Sequence, residues 1–320
     1  MTTFRAIAPG LLGMVLVGSS VAVSATLATA PLFIAQALRY GVAAVVLLAL
    51  ARCLRIPVAA PRGPEWLWLG GIAATGLVLF NIAVVRGVAH AQPTMIAVAV
   101  ACAPVALGVL GPLLQGQPPQ RPVVLAAVVV TAGAVLVEGA GHGSEIAIAW
   151  AVVALATESA FTLLAVPVLG RHGAWGVSVH SVWLGAVMFT VLAVITEGPA
   201  AAARLSAADI AAVAYLALLV TVAAFVLWYS TVAALGPGRV GLLTGIAPVA
   251  AALTGIAVGS RAPSLLMWTG TGVVLVGLTA GLRSRASPLV SAEPGALGGS
   301  PGGRRALADR AGAPADGRLG

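Results

Sequence analysis

The chain has no lysine and very little charge of either sign. All 17 of its basic residues are arginine, its acidic residues number 9, and charged residues make up 8% of the 320 positions, whereas a typical soluble domain has about 25%. Together with a hydrophobic content of 60%, this composition excludes a soluble globular protein. The arginines stand singly at the ends of apolar stretches, so the net charge of +8 indicates membrane topology and not a nucleic-acid partner.

The sequence also lacks the motifs of several enzyme classes. Its two cysteines, Cys53 and Cys102, form neither a disulfide framework nor a CxxC metal or redox pair. It has no HExxH zinc motif, no P-loop and no glycine-rich dinucleotide motif, and the segment from Gly176 to His180 lacks a nucleophile elbow around its serine. We therefore predict no catalytic residues, no metal, no cofactor and no ATP-driven pump.

Long apolar runs dominate the rest of the chain. A bilayer core about 30 Å thick requires roughly 20 apolar residues in a helix. Ten stretches come close to this length: about 7–29, 32–51, 66–86, 92–114, 122–140, 146–166, 174–196, 208–234, 238–259 and 264–283. Because every backbone polar group must be satisfied within the bilayer, the sequence predicts an all-α polytopic membrane protein with about ten transmembrane helices.

The arginines between these helices indicate how the chain is oriented. If the amino terminus is cytoplasmic, nine arginines fall on the cytoplasmic side and three on the other side, an arrangement that the positive-inside rule favours. The cytoplasmic set is Arg5, Arg52, Arg55, Arg62, Arg121, Arg171, Arg239, Arg283 and Arg285, and the external set is Arg86, Arg204 and Arg261. We therefore expect an integral protein of the plasma membrane with both termini in the cytoplasm.

The two ends of the chain need separate interpretation. Ala28-Thr29-Ala30 resembles a signal-peptidase site, but the apolar run before it is longer than a usual signal core, so we expect the first helix to be retained. Residues 284–320 are rich in Gly, Pro, Ala, Ser and Arg and have no apolar periodicity. Burial there could not offset the entropy of ordering the chain, which predicts a disordered cytoplasmic tail.

The chain contains an internal repeat. Segments 91–93 and 103–105 align with segments 235–237 and 247–249 at a single offset of 144 residues, which places Pro104 over Pro248. The chain then divides into repeats 1–141 and 142–283, followed by the tail at 284–320. Each repeat has five helices, an odd number, so the second repeat enters the membrane from the opposite side. Such inverted repeats are typical of secondary transporters.

Several short motifs follow one another in a fixed order. They are Gly18-Ser19, Pro31 with Ala37-Leu38-Arg39-Tyr40, Ala214-Tyr215-Leu216, Trp228-Tyr229-Ser230, Ala234-Leu235-Gly236-Pro237 and Ile246-Ala247-Pro248-Val249-Ala250. Their order and spacing resemble EamA-type members of the drug/metabolite transporter superfamily over about residues 8–283. The resemblance implies a ten-helix carrier in which helices 1, 3, 4, 6, 8 and 9 line a central cavity. It also implies a small substrate such as an amino acid or a related amine-bearing compound.

Glu158 is the first candidate functional residue, because it lies near the middle of the sixth predicted helix. A charged side chain at that depth costs roughly 2.5–3.5 kcal/mol or more and usually has a function or a partner. A carboxyl group there could bind a substrate ammonium group or couple proton movement to transport. The alternative is a protonated Glu158 that is hydrogen-bonded to a neighbouring helix.

Polar and aromatic side chains on two other helices are further substrate-binding candidates. Asn81 lies on the third helix. Thr221, Phe225 and Trp228 follow i, i+4, i+7 spacing on the eighth helix, which predicts one shared face, and Tyr229 lies beside that face. The alternative for all of them is interhelical hydrogen bonding and placement at the membrane interface.

The second helix carries two weaker candidates. Arg39 lies about a third of the way along it, where we favour a structural anchor whose stem reaches toward the interface over an anion-binding role. We interpret Gln36, like His180 on the seventh helix, as a packing residue.

Pro104 and Pro248 are the candidate hinges. Each proline removes a backbone donor near the middle of its helix, and paired interruptions indicate the moving elements of a transporter. The alternative is a passive kink, which membrane helices tolerate.

These observations favour a secondary transporter that moves, by export, a small amine-bearing metabolite through alternating access, with proton coupling left open. A second hypothesis is a proton-coupled exporter of lipophilic cations, held by Glu158 and by cation–π contact with Phe225 and Trp228. From other classes, a non-transporting membrane scaffold or an intramembrane enzyme is disfavoured by the paired halves and by the missing catalytic motifs. The expected partners are a small-molecule substrate and the lipid bilayer, with protons and a homo-oligomer left open, and no nucleic acid.

Overall fold

A computed structural model describes residues 2–90, 93–139, 144–257 and 264–283. All regular secondary structure in these ranges is helical. The predicted disordered tail at 284–320 lies outside the described residues.

The described segments form ten principal helices, some of which change their winding along their length. They are α1 (Thr2–Ser24), α2 (Leu32–Cys53), α3 (Glu65–Gly71, π-helical Ile72–Leu79 and Phe80–Val88), α4 (Pro93–Val100 and Ala103–Leu114), α5 (Arg121–Glu138), α6 (Glu145–Leu163), α7 (Val166–Thr196), α8 (Ala207–Tyr215, π-helical Leu216–Ala224 and Phe225–Leu235), α9 (Pro237–Val240, 3₁₀-helical Gly241–Gly245 and Ile246–Ala257) and α10 (Leu265–Arg283). Short 3₁₀ turns occupy Ala25–Thr29 and Pro199–Arg204.

The helices are long and apolar enough to cross a bilayer. Within the described ranges, eight spans reach that length and hydropathy, and Arg5–Val21 and Arg121–Val137 add two shorter apolar helices. The prediction of an all-α polytopic membrane protein is therefore confirmed. The seventh helix begins earlier than predicted, at Val166, but Gly173 interrupts it with a φ of 61° and a ψ of 179°. The span beyond Gly173 corresponds to the predicted 174–196.

The helix packing treats the two halves of the chain alike. Helix α1 packs against α8 and α9, and its counterpart α6 packs against α3 and α4. Helix α2 packs against α7, and α5 packs against α10, each pair being a helix and its own counterpart. Exchanging each helix with its counterpart in the other half leaves this set of contacts unchanged, as two repeats related by a two-fold axis require. The repeat boundaries 1–141 and 142–283 remain predictions.

Glycine allows the closest of these approaches, between α5 and α10. A methyl group added at Gly133 would lie 2.6 Å from the backbone nitrogen of Val274, and one added at Gly270 would lie 2.7 Å from the carbonyl oxygen of Gly133. A methyl group at Gly277 would lie 2.9 Å from the backbone nitrogen of Val130. Small residues at such positions let membrane helices pack by van der Waals contact, so these glycines determine the fit of the fifth and tenth helices.

Candidate functional site

Five polar side chains meet between α2, α3 and α8, and we call them the polar cluster: Gln36, Arg39, Tyr40, Asn81 and Thr221. Arg39 Nε donates to Thr221 Oγ1 at 2.9 Å, and Arg39 Nη1 donates to Gln36 Oε1 at 3.4 Å. Gln36 Nε2 donates to Asn81 Oδ1 at 2.9 Å, and Asn81 Nδ2 lies 3.5 Å from the Tyr40 hydroxyl. Gln36, Tyr40 and Thr221 are buried, so the cluster is a polar region inside the helix bundle.

The polar cluster is attached to two π-helical segments. Asn81 Nδ2 donates to the carbonyl oxygen of Leu77 at 2.6 Å, inside the π-helical part of α3. Thr221 lies inside the π-helical part of α8. The two segments begin at Ile72 and Leu216, which differ by the same 144 residues as Pro104 and Pro248. Single π-helical turns occur mostly at functional sites, and here both repeats place one beside the same cluster.

Arg39 is the charged member of the cluster. Its guanidinium lies 5.0 Å from the centroid of the Tyr40 ring, in cation–π range. Tyr40 in turn stacks on Phe189 with ring centroids 5.4 Å apart and planes within 5°, which holds the ring in place. Among the residues that the structure describes, no carboxylate pairs with Arg39. A guanidinium inside a membrane bundle is costly, and hydrogen bonds to neutral groups are what compensate it here.

Ion pairs occur elsewhere, at the start of α3. Glu65 pairs with Arg171 and with His172 Nε2, the latter at 3.1 Å, and it also accepts from the backbone N–H of Arg62 at 2.8 Å. Arg171 also donates to the carbonyl oxygen of Ala60 at 3.1 Å. These contacts attach the connection between α2 and α3 to the beginning of α7, away from the polar cluster.

Four aromatic side chains join α6 to α8, and we call them the aromatic cluster: Phe161, Phe225, Trp228 and Tyr229. The ring centroid of Phe161 lies 4.9 Å from that of Phe225 and 5.1 Å from that of Tyr229. The Tyr229 hydroxyl donates to the carbonyl oxygen of Phe161 at 3.2 Å, and Trp228 Nε1 donates to Thr162 Oγ1 at 3.0 Å. Trp228 and Tyr229 are buried, so their polar atoms are satisfied within the protein.

Glu158 lies one helical turn before Phe161 and Thr162 on α6. Residues three and four apart share a helix face, so Glu158 faces the same side of α6 as the aromatic cluster. It interacts electrostatically with Tyr229, and its side chain is half-buried. In the described part of the chain, its carboxylate has no hydrogen bond and no ion pair.

The two candidate hinge prolines lie where their helices change geometry. Pro104 follows a turn at Ala101 and Cys102 that divides α4, and Pro248 follows the 3₁₀-helical part of α9. Thr131 Oγ1 on α5 donates to the carbonyl oxygen of Ala101 at 3.3 Å. A side chain from a neighbouring helix thus occupies a carbonyl at the interruption, as expected where proline leaves an acceptor without its helical donor.

The structure divides the predicted site residues between the two clusters. Asn81 and Thr221 belong to the polar cluster, whereas Phe225, Trp228 and Tyr229 belong to the aromatic cluster. The face that we predicted for α8 is shared by Phe225 and Trp228, which both contact α6, while Thr221 bonds to α2. The π-helical turn explains the difference, because its extra residue changes the register of α8 between Thr221 and Phe225.

Sequence reasoning ranked Arg39 and Gln36 below their place in the structure. Both side chains bond to residues on other helices, and Gln36 connects Arg39 to Asn81. Their spacing of three residues on α2 was the available signal, because it places both on one face.

Comparisons with known proteins agree with this architecture. Residues 5–139 match the model of the EamA-like transporter family. The uncharacterized transporter YetK of Bacillus subtilis (strain 168) is 28% identical over 248 residues, which cover 75% of this chain and 75% of the relative. A solved crystal structure superposes with a TM-score of 0.73 at 18% identity, covering 87% of this chain and 97% of that one, which shows a shared fold. These relatives point to a transporter rather than an enzyme. The family match places the chain among the EamA-type members of the drug/metabolite transporter superfamily, and the chain is a membrane transporter.

Proposed function

We propose that the protein is a secondary carrier that exports a small amine-bearing metabolite, such as an amino acid, across the plasma membrane. Both termini lie in the cytoplasm, and the two five-helix repeats alternate access to a site between them. Glu158 binds the substrate ammonium group or exchanges a proton for it. The substrate class follows the resemblance to EamA-type carriers, and the site follows the geometry of the described helices.

The observation that carries the proposal is the environment of Glu158. The carboxylate lies on the face of α6 that meets α8, and within the described chain it has no hydrogen-bond or ion-pair partner. A structural carboxyl group in a membrane bundle normally bonds to a neighbouring helix. A side chain that stays without such a partner is available to a substrate cation or to a proton.

The repeat geometry supports alternating access. Helices α4 and α9 are each interrupted next to a proline, at Pro104 and Pro248, and α3 and α8 each contain a π-helical segment. Broken helices in corresponding positions of two repeats mark the binding site and the moving parts of secondary carriers. Both kinds of interruption occur in both halves, so each half can adopt the conformation of the other.

Solute-dependent proton flux in proteoliposomes tests the proposal. The purified chain is reconstituted and supplied with a panel of amino acids and organic cations, beside Glu158→Gln and Glu145→Gln. Glu145 is an exposed carboxylate at the start of the same helix, which makes it the matched control. We expect one or more solutes to move in wild type and in Glu145→Gln and to be lost in Glu158→Gln.

Other outcomes divide the proposal into its parts. If solute and protons move equally in all three proteins, the role of Glu158 is refuted while the carrier stands. If no amine-bearing solute on the panel moves through wild type in either orientation, the proposed substrate class is refuted.

A second candidate function is export of lipophilic cations by proton exchange. The observation that favours it is the contact of Phe161 with Phe225 and Tyr229 one turn from Glu158, since aromatic faces attract cations. Resistance profiling of cells that express the chain distinguishes the two functions. Resistance to lipophilic cations without any effect on amino-acid export would favour the second.

A further inference from the structure

We infer that Arg39 binds a carboxylate group of the substrate, which makes the substrate an amino acid or another zwitterion and not a simple amine. The inference rests on the proposed carrier function and specifies its substrate. It assigns the two charges of the bundle interior to the two charges of one ligand, Arg39 to the carboxylate and Glu158 to the ammonium group.

The hydrogen bonds of Arg39 leave part of its guanidinium available. A guanidinium has five N–H donors in a planar fork. Nε is used by Thr221 and one Nη1 hydrogen by Gln36, whereas within the described chain Nη2 has no hydrogen-bond partner. The two bonds fix the orientation of the fork, and the open edge has the geometry that binds a carboxylate through two parallel bonds.

The neighbours of Arg39 position the group without neutralising it. Thr221 and Gln36 present neutral oxygen atoms, and Tyr40 presents the face of its ring at 5.0 Å. The described residues of the cluster therefore carry one net positive charge. A single guanidinium matches the single charge of a carboxylate, whereas a phosphate group with about two charges would require a second cation.

Arg39 and Glu158 lie at similar depths in the bundle. The bond between Trp228 and Thr162 fixes the height of α8 against α6. Glu158 precedes Thr162 by four residues, about 6 Å along α6, and Thr221 precedes Trp228 by seven residues, about 10 Å along α8. Helices α6 and α8 are two crossings apart and run in the same direction, so both groups lie on the same side of that bond, within about 5 Å in depth.

This arrangement selects between the two transport functions. A zwitterion presents its carboxylate and ammonium groups on one carbon and can engage both Arg39 and Glu158. A lipophilic cation has no group for Arg39 and meets its positive charge at short range, which is unfavourable in a region of low dielectric. The polar cluster therefore favours amino acids over lipophilic cations.

Thermal unfolding of the purified full chain in detergent tests the inference. The probes are each of the protein amino acids, and for the most stabilising one its decarboxylated amine and its deaminated carboxylate, all at equal concentration. The proteins are wild type, Arg39→Gln, Arg39→Lys and Arg204→Gln. Arg204 is exposed and lies outside both clusters, so its variant controls for the loss of one positive charge.

In wild type and Arg204→Gln, we expect the amino acid and its deaminated carboxylate to raise the unfolding midpoint. In Arg39→Gln, the carboxylate has no effect, and the apparent affinity for the amino acid falls about tenfold or more, the loss expected for charge-assisted hydrogen bonds. Arg39→Lys keeps the charge and loses the fork, so it retains a weaker response. If Arg39→Gln does not fold, the comparison of Arg39→Lys with wild type supplies the same test.

Three results would overturn the inference: stabilisation by the amine alone, equal stabilisation of wild type and Arg39→Gln, or no stabilisation by any probe. The proposed function is measured separately by flux. A wild-type protein that moves amines but not carboxylate-bearing solutes refutes the role of Arg39 and leaves the carrier and Glu158 in place.

Discussion

Thr221 Oγ1 accepts a hydrogen bond from Arg39 Nε at 2.9 Å, although 182 residues separate them along the chain. Thr221 lies 144 residues after Leu77, whose carbonyl oxygen accepts a bond from Asn81 in the same cluster. Equivalent positions of the two repeats therefore both take part in the polar cluster. A carrier whose repeats move against each other must rearrange these bonds in each cycle, which makes the cluster sensitive to small changes.

Replacing Thr221 by valine tests that sensitivity. Valine fills nearly the same volume but cannot accept from Arg39 Nε, so a guanidinium in the membrane interior loses one of its partners. We expect a loss of about 1.5–3 kcal/mol, the range for hydrogen bonds to charged groups, together with reduced transport. Thermal unfolding and proteoliposome flux measure the two effects.

Thr221→Ser is the matched control, because serine keeps the hydroxyl and removes only a methyl group. We expect Thr221→Ser to transport at a rate near that of wild type. Equal losses in the serine and valine variants would mean that packing at Thr221 matters and its hydrogen bond does not.

The contact between α5 and α10 gives a pair of glycines on one helix with opposite expectations. A methyl group at Gly270 would lie 2.7 Å from the carbonyl oxygen of Gly133, whereas one at Gly272 meets nothing within 4 Å. We expect Gly270→Ala to destabilise the protein by about 1–3 kcal/mol through overpacking. Gly272→Ala should be neutral or stabilise by up to about 1 kcal/mol, since alanine favours helix. The thermal unfolding midpoints decide the matter, and a Gly270→Ala midpoint at or above that of Gly272→Ala would contradict this packing.

Glu197, at the end of α7, caps the beginning of α2. Its carboxylate oxygens accept from the backbone N–H groups of Phe33 and Ile34 at 3.0 and 2.9 Å, where Pro31 provides no side-chain cap. A carboxylate at this position also interacts favourably with the positive end of the helix. We expect Glu197→Ala to cost about 1–2 kcal/mol of stability.

Glu145→Ala is the control for this prediction, because it removes an exposed carboxylate from the first turn of α6. Its midpoint should change much less. Indistinguishable shifts in the two variants would show that the cap on α2 contributes nothing beyond its charge.

The prolines beside the helix interruptions should affect transport more than stability. In Pro104→Ala and Pro248→Ala, the regained N–H favours continuous helix, which stabilises one conformation of α4 or α9 and slows the exchange between two. We expect transport to fall severalfold with an unchanged or higher unfolding midpoint.

Pro112, inside the second part of α4, provides the control for both variants. Pro112→Ala removes a proline from the same helix away from its interruption, so its transport should stay close to wild type. Wild-type flux in Pro104→Ala and Pro248→Ala would mean that the prolines are passive kinks.

The sequence by itself determined the class of the protein and much of its organisation. Apolar length and low charge require membrane helices whatever their neighbours are, so the ten segments, including the span after Gly173, could be located without coordinates. The offset of 144 residues, read from two short motifs, also gives the spacing of the two π-helical segments. The candidate residues Asn81, Thr221 and Glu158 were found because polar groups are costly in an apolar helix wherever that helix packs.

Only the tertiary structure decided which of these groups meet. Arg39 could have been placed at the interface by its flexible stem, and its bonds to Thr221 and Gln36 depend on how α2 packs against α8, 182 residues away. The π-helical turn that separates Thr221 from the face of Phe225 and Trp228 is likewise a product of packing. A hydropathy pattern fixes which segments enter the membrane, but the partners of a side chain depend on the crossing and register of helices that are far apart in the chain.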